Sequence, residues 1–264
     1  MTAALRPDDP IGLAARRHPE LLAVFDRFGL DYCCHGRRTV DEACRAASAD
    51  TAAVLASADA AMALPAATRP DRDWAAMSMA ELCDDIERTH HVFARDTLSR
   101  AEALADKIAE AHGNAHPGFI EVRAVVRELR NEMLDHMIRE ERVLFPWLRR
   151  LERHESLHVG PPWSVKRPID CMVHDHESVA AAFERLRRLT ADYTPPPGTC
   201  GSVAVLMNTL RDLERDTRTH IHKENNILFP AGVRAEAVRN AAPAPAGPTI
   251  AAPRHPGAAH GAGA

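Results

Sequence analysis

His136 to Pro146 reads HMIREERVLFP, and His220 to Pro230 reads HIHKENNILFP. The two segments lie 84 residues apart and agree at their His, Glu, Leu, Phe and Pro positions. At 3.6 residues per turn, a His and a Glu four apart sit about 40° from each other on a helix, so each segment aims an imidazole and a carboxylate at one point. Val143 and Leu144 continue the first face and Ile227 and Leu228 the second, which places both polar pairs on the buried side of their helices. Burying two unpaired carboxylates is costly, so a repeated inward pair implies a cation to meet it.

Working outward, the breaks HGNAHPG, HESLHVGPP and YTPPPGTCG separate four long helical patterns, at about 77–111, 118–153, 165–191 and 199–237. Joined by short loops, they predict an all-α protein whose larger part is an up-down four-helix bundle. The first and third patterns carry His90 and His91, then His174 and His176, and His91 to His176 is again an offset of 85. The chain therefore reads as a duplicated helical hairpin with four inward histidines and two inward carboxylates, and bundle cores of this kind hold paired iron or manganese. Periodicity picks His176, which shares its stripe with Val179, Ala180 and Phe183, over His174 beside Glu177 and Ser178. It picks His220, in line with Leu213 and Ile227, over His222 beside Arg218, Asn225 and Asn226. On the first helix Leu82, Ile86 and Phe93 centre the stripe on His90, with His91 at its edge beside Leu98.

Composition agrees with helices: aromatics are 5% of the 264 residues, and strand-favouring side chains are sparse. Lys plus Arg number 33 against 37 Asp plus Glu, a formal charge of -4, so nothing draws the chain to nucleic acid or to a membrane surface. No apolar run approaches the length of a membrane span, and the amino terminus lacks the pattern of a secretory signal, so a cytoplasmic protein is expected. Four regions follow: a small helical domain at 1–60, a linker at 61–76, the bundle at 77–237 and a disordered, Ala- and Pro-rich tail at 238–264. In the first region Pro19 opens a short helix that Gly29 stops, and a second starts near Thr39. Cys44, Cys83, Cys171 and Cys200 read as packing or surface residues, and spacing assigns no chemistry to His112 or His116.

Between those short helices stands Asp31, Tyr32, Cys33, Cys34, His35, Gly36. This D-[YF]-C-C-x-G motif ahead of a His- and Glu-bearing bundle resembles the di-iron iron–sulfur cluster repair family, whose larger domain is hemerythrin-like. The resemblance runs from about Ile11 to Pro230, with His35 standing where many relatives have Gly. It implies a metal set of His91, His136, Glu140, His176, His220 and Glu224, with both glutamates bridging two iron ions in an oxo- and carboxylate-bridged centre. On the first helix it selects His91, by Arg95 and Leu98, where periodicity centres on His90. It implies repair of clusters damaged by nitric oxide or oxidants, through iron donation or redox chemistry, with Cys33 and Cys34 as catalytic thiols. The partners implied are damaged iron–sulfur proteins and a small diatomic ligand such as nitric oxide or oxygen, and there is room for a homodimer. The same residues also fit an oxygen or nitric oxide carrier or sensor, or a nitric oxide reductase, and imidazole with carboxylate admits a structural zinc.

Overall fold

Two capping boxes start helices where the chain needs them. The Ser78 hydroxyl accepts from the Glu81 N–H at 3.2 Å while the Glu81 carboxylate accepts from the Ser78 N–H at 2.9 Å. Thr39 and Glu42 do the same for a short helix of the amino-terminal unit. The computed structural model describes residues 4–64, 73–155 and 164–241. Among the described residues there is no β-strand, only an isolated bridge between Pro10 and Thr39.

The first bundle helix runs Met79–Ile86, widens into a π-turn at Glu87–His91 and continues as Val92–His112. The second is Gly118–Arg139, a π-turn at Glu140–Leu144, then Phe145–Glu152. The third, Lys166–Leu189, is regular throughout. The fourth is Gly201–Lys223, a π-turn at Glu224–Leu228, then Phe229–Ala241. The first and second helices pack side by side, the second against the third and the fourth against the first, which is the predicted bundle. The fourth helix reaches Ala241, so residues 238–241 are helical where the sequence suggested tail; the rest of that segment lies outside the described residues.

The bundle core is split. Leu98, Val122, Leu129, Phe183, Leu210 and Leu213 belong to one apolar cluster. Ile86, Leu144, Phe145, Ile169, Leu228 and Phe229 belong to another. Along every helix the histidines and glutamates named above fall between the two, so a polar layer lies across the bundle with hydrocarbon above and below.

Ahead of the bundle come α1 (Ile11–Arg17), a 3₁₀ turn at Pro19–Leu21, α2 (Leu22–Arg27), α3 (Val40–Ala46) and α4 (Thr51–Met62). Gly29 takes φ +68°, which stops α2 where predicted, because only glycine adopts that conformation without strain. α4 extends two residues into the expected linker, and Trp74–Ala76 forms a further 3₁₀ turn there; residues 65–72 lie outside the described residues. Ile11, Leu21, Phe25, Tyr32 and Val54 make the small core of this unit, which Ile221 of the fourth bundle helix completes. The amino-terminal unit thus sits on the bundle at the level of the polar layer.

Candidate metal centre

Six side chains converge in that layer. Oxygen and nitrogen atoms of His91, Glu140, His220 and Glu224 lie within 4.8 Å of one another, and so do those of His136, Glu140, His176 and Glu224. Both glutamates belong to both groups, and all six residues are buried. The Nε2 atoms face inward in pairs, His91 to His220 at 3.3 Å and His136 to His176 at 3.3 Å. Glu140 Oε2 lies 3.3 Å from His91 and 3.2 Å from His136, while Glu224 reaches His220 at 2.9 Å and His176 at 3.1 Å.

Outside this ring, partners fix the imidazoles. His91 Nδ1 donates to Glu141 at 2.7 Å, and Arg95 donates to the same oxygen at 2.7 Å. His136 Nδ1 faces Asp175 at 3.3 Å, with Arg139 on the same carboxylate oxygen at 2.8 Å. His176 Nδ1 donates to the Asn225 side-chain oxygen at 3.1 Å. A proton held on Nδ1 leaves a lone pair on Nε2, which is the arrangement of metal-binding histidines. At His91, His136 and His176 bare nitrogens then face carboxylate oxygens, and neither side supplies a hydrogen, whereas His220 Nε2 is within hydrogen-bond distance of Glu224 at 2.9 Å. Both oxygens of Glu140 and Oε2 of Glu224 are buried without a hydrogen-bond donor. Cations seated between them satisfy both sides, so the donor set fits two metal ions.

A proton is the other cation these carboxylates can hold. Burial opposes charge on His136, but Glu140 and Asp175 outweigh it and push its pKa up to about 10. At His220 burial prevails and the pKa falls. Burial works against a charged Glu224 as well, yet His220 and His176 hold it well below the usual carboxylate range. The site is therefore built for negative carboxylates beside cations.

The repeated Phe and Pro also acquire a reason. Phe145 stacks on His91 with ring centres 5.8 Å apart, and Phe229 stacks on His176 at 6.1 Å. Both phenyl rings belong to the second apolar cluster and plate the layer from that side. Pro146 and Pro230, which have no N–H to give the preceding turn, stand second after the π-turns, behind the two phenylalanines.

On the first helix both candidate histidines are buried, but they face different ways. His91 enters the layer, whereas His90 accepts from buried Lys223 at 2.8 Å and donates to Asp216 at 2.9 Å. Lys223 also donates to Asp85 at 2.8 Å, so His90 belongs to a buried ion network beside the layer. His174 is exposed, as its face predicted. His222 stays out of the six, yet it is fully buried, with its ring against the edge of Tyr32, because the amino-terminal unit covers the polar face on which it stands.

Cys33 and Cys34 do not join the six, but they lie beside them. Their sulfurs are 3.8 Å apart, and Cys34 Sγ is 3.9 Å from the His176 carbonyl oxygen. Asp31 accepts the backbone N–H groups of Cys33 and Cys34 and pairs with His35 at 2.5 Å, which shapes the loop. Asn226 inserts its side chain between Gly12 and Gly36, where a Cβ on either glycine would collide with its oxygen, and donates to the carbonyls of Tyr32 and Cys33. Sequence periodicity missed Glu141, Asp175 and Asn225, since each acts across to another helix; the only available signal was their position one residue from a candidate ligand.

Residues 83–231 match the hemerythrin HHE cation binding domain, and residues 7–61 match ScdA_N, a domain of unknown function. An iron–sulfur cluster repair protein YtfE of Cronobacter sakazakii is 30% identical over 230 residues, covering 87% of this chain and 98% of the relative. The protein of the same name from Escherichia coli O8 is 28% identical over 229 residues, with the same coverage. An iron–sulfur cluster repair protein ScdA of Staphylococcus haemolyticus is 29% identical over 206 residues, 78% of this chain and 89% of the relative.

Proposed function

The chain belongs to the iron–sulfur cluster repair family and carries a hemerythrin HHE cation-binding domain, and from that premise we propose how it acts. It repairs iron–sulfur clusters damaged by nitric oxide or oxidants, working in the cytoplasm from two iron ions held by His91, His136, Glu140, His176, His220 and Glu224. The observation that carries this reading is that Glu140 and Glu224 each belong to both four-residue groups, the arrangement of two bridging carboxylates.

Iron bound there supplies open coordination positions for a small diatomic ligand and two stable oxidation states. The chain's own residues do the rest. Glu141, Asp175 and Asn225 hold three of the four imidazoles, those of His91, His136 and His176, by Nδ1, so their Nε2 lone pairs stay aimed inward. Phe145 and Phe229 lay apolar rings against His91 and His176 from the side of the second apolar cluster. The loop of Cys33 and Cys34 sits against the backbone of His176, where its thiols are placed to receive iron leaving as cargo for a damaged cluster.

Elemental analysis of protein made with ample iron tests the centre: about two irons per chain are expected, and Glu140→Ala or Glu224→Ala loses them. Full iron content in either variant removes the bridging assignment. Reconstitution of a nitric-oxide-treated iron–sulfur enzyme then tests the repair role. Activity falls in the Cys33→Ser, Cys34→Ser double variant at unchanged iron content if the thiols pass iron on. A carrier or a nitric oxide reductase working at the irons alone would leave its own activity untouched in that variant.

A further inference from the structure

A cleft of about 400 Å³ lies along the seam between the amino-terminal unit and the third and fourth bundle helices, and none of the six residues of the metal layer lines it. Its walls are chemically unequal. Val179, Phe183 and Ile221 give an apolar floor, Cys33 lines one end, and Arg38 and Thr217 add polar groups. Most of the charge around it is already matched: Arg187 with Glu214 at 2.9 Å, Arg218 with Asp26 at 3.3 Å, and Glu184 with Arg188 at 2.7 Å. The guanidinium of Arg38 has no hydrogen bond or ion pair among the described residues. Thr217 is 2% exposed, yet its hydroxyl has no partner either, although helical threonines ordinarily bond back to the preceding turn. Rotation about its Cα–Cβ bond exchanges hydroxyl and methyl, so a polar group in the cleft can draw that hydroxyl to it.

A free guanidinium recognises a carboxylate, and an orphan hydroxyl a second polar group. The neighbouring thiols supply the third element. A thiol is soft and polarizable, and Cys33 with Cys34 sets two of them side by side, 3.8 Å apart, for a further sulfur to pack against. Cys33 is among the residues lining the cleft, so a ligand held there brings its sulfur beside that residue. We propose that the cleft binds a small carboxylate-bearing thiol, with its carboxylate on Arg38, its body on the apolar floor and its sulfur against Cys33. This site does not depend on the iron reading, because none of its contacts involves the six metal-layer residues.

Glutathione is the probe, titrated calorimetrically and without oxygen into the reduced full chain carrying its native metal. Saturable binding is expected, weakened at least tenfold in Arg38→Ala and measurably in Thr217→Val, and blocked in Val179→Trp, which fills the floor. Metal content and helical circular dichroism serve as controls and remain those of the parent, so a lost signal is not a lost fold. The analogue with the cysteine of glutathione replaced by aminobutyrate, which lacks only the sulfhydryl, is expected to bind more weakly. No saturation at millimolar glutathione overturns the site, as does equal affinity in Arg38→Ala. Equal affinity for the thiol-free analogue overturns the assignment to thiols.

Discussion

Asn225 touches both halves of the chemistry. Its side-chain oxygen accepts from His176 Nδ1, and its nitrogen donates to the Cys33 carbonyl at 3.3 Å, so one amide ties a metal-facing histidine to the thiol loop. Asn225→Leu removes both bonds and is expected to lower iron affinity about 10- to 100-fold, the usual cost of losing a partner behind a ligand. Asn225→Asp keeps an acceptor for Nδ1 and loses the donor to Cys33. It therefore holds iron while Cys34 reacts faster with a maleimide; equal thiol rates in the two proteins would show that the amide does not restrain the loop. A separate thiol tests electrostatics away from the centre. Cys200 is exposed at the start of the fourth bundle helix, 3.2 Å from His112 Nε2. His112 and then the Ser202 N–H hold its pKa down to about 7. Thiolate forms as pH rises through that value, so alkylation of Cys200 by iodoacetamide climbs with a midpoint near pH 7, and His112→Ala moves the midpoint up toward about 8.5. At this scale the sequence disclosed His136, Glu140, His220 and Glu224, since His and Glu four apart twice over are visible in one dimension, and face periodicity added His176, whereas His91 came from the resemblance alone. It did not disclose His112 beside Cys200 or Asp175 beside His136, because those pairs are made by helices meeting.

The bundle helices show why one of the six resisted periodicity. Three π-turns interrupt them, at Glu87–His91, Glu140–Leu144 and Glu224–Leu228, each at or beside a histidine or glutamate of the layer. A π-turn adds one residue to a turn and so rotates everything after it by about 100°. Leu82 and Ile86 precede the first π-turn whereas Phe93 follows it, so a single 3.6-residue wheel through the three mixes two frames and centres on His90, leaving His91 and Leu98 at its edge. Helix ends, set by Gly, Pro and capping residues, came out of the sequence within a few positions. The π-turns did not, because no residue type marks them. Their use is to bring Phe145 and Phe229 round onto the imidazoles. Phe145→Ala empties a plate in the core and is expected to cost about 3–5 kcal/mol in urea unfolding, whereas Phe145→Leu costs less by keeping most of the volume. A loss under about 1 kcal/mol for the alanine variant, the size of an ordinary substitution, would show the layer closing by other means.

At the scale of the molecule, the small amino-terminal unit covers one face of the bundle, and this was the least legible part of the sequence. His222, Asn225 and Asn226 gave the wheel only a polar neighbourhood beside Arg218, because a helical wheel has no information about a neighbour that buries polar groups by bonding them. Here Tyr32 takes the ring of His222 edge-on, Arg218 donates to the Leu30 carbonyl, and Asn226 slots between two glycines. The glycine contact is the most demanding, since Gly12 N–H donates to Gly36 O at 2.9 Å and Asn226 lies against both. The last Gly of the D-[YF]-C-C-x-G motif is thus explained by space: a methyl group at Gly36 meets the Asn226 oxygen, and either the loop or the amide must move. Gly36→Ala is expected to loosen the unit from the bundle at a cost of about 1–3 kcal/mol, the range for an overpacked contact. The bundle has its own two apolar clusters and keeps its metal, whereas Cys33, now 5% exposed, loses its cover. Ellman's reagent reads this directly: Cys33 labels at least tenfold faster in Gly36→Ala at equal iron content. Pairing that change with Asn226→Ala, which removes the obstructing side chain, restores slow labelling if collision is the cause. Fast labelling in the double variant would instead place the docking energy in the bonds that Asn226 donates, and the glycines would then matter only for bringing the two backbones together.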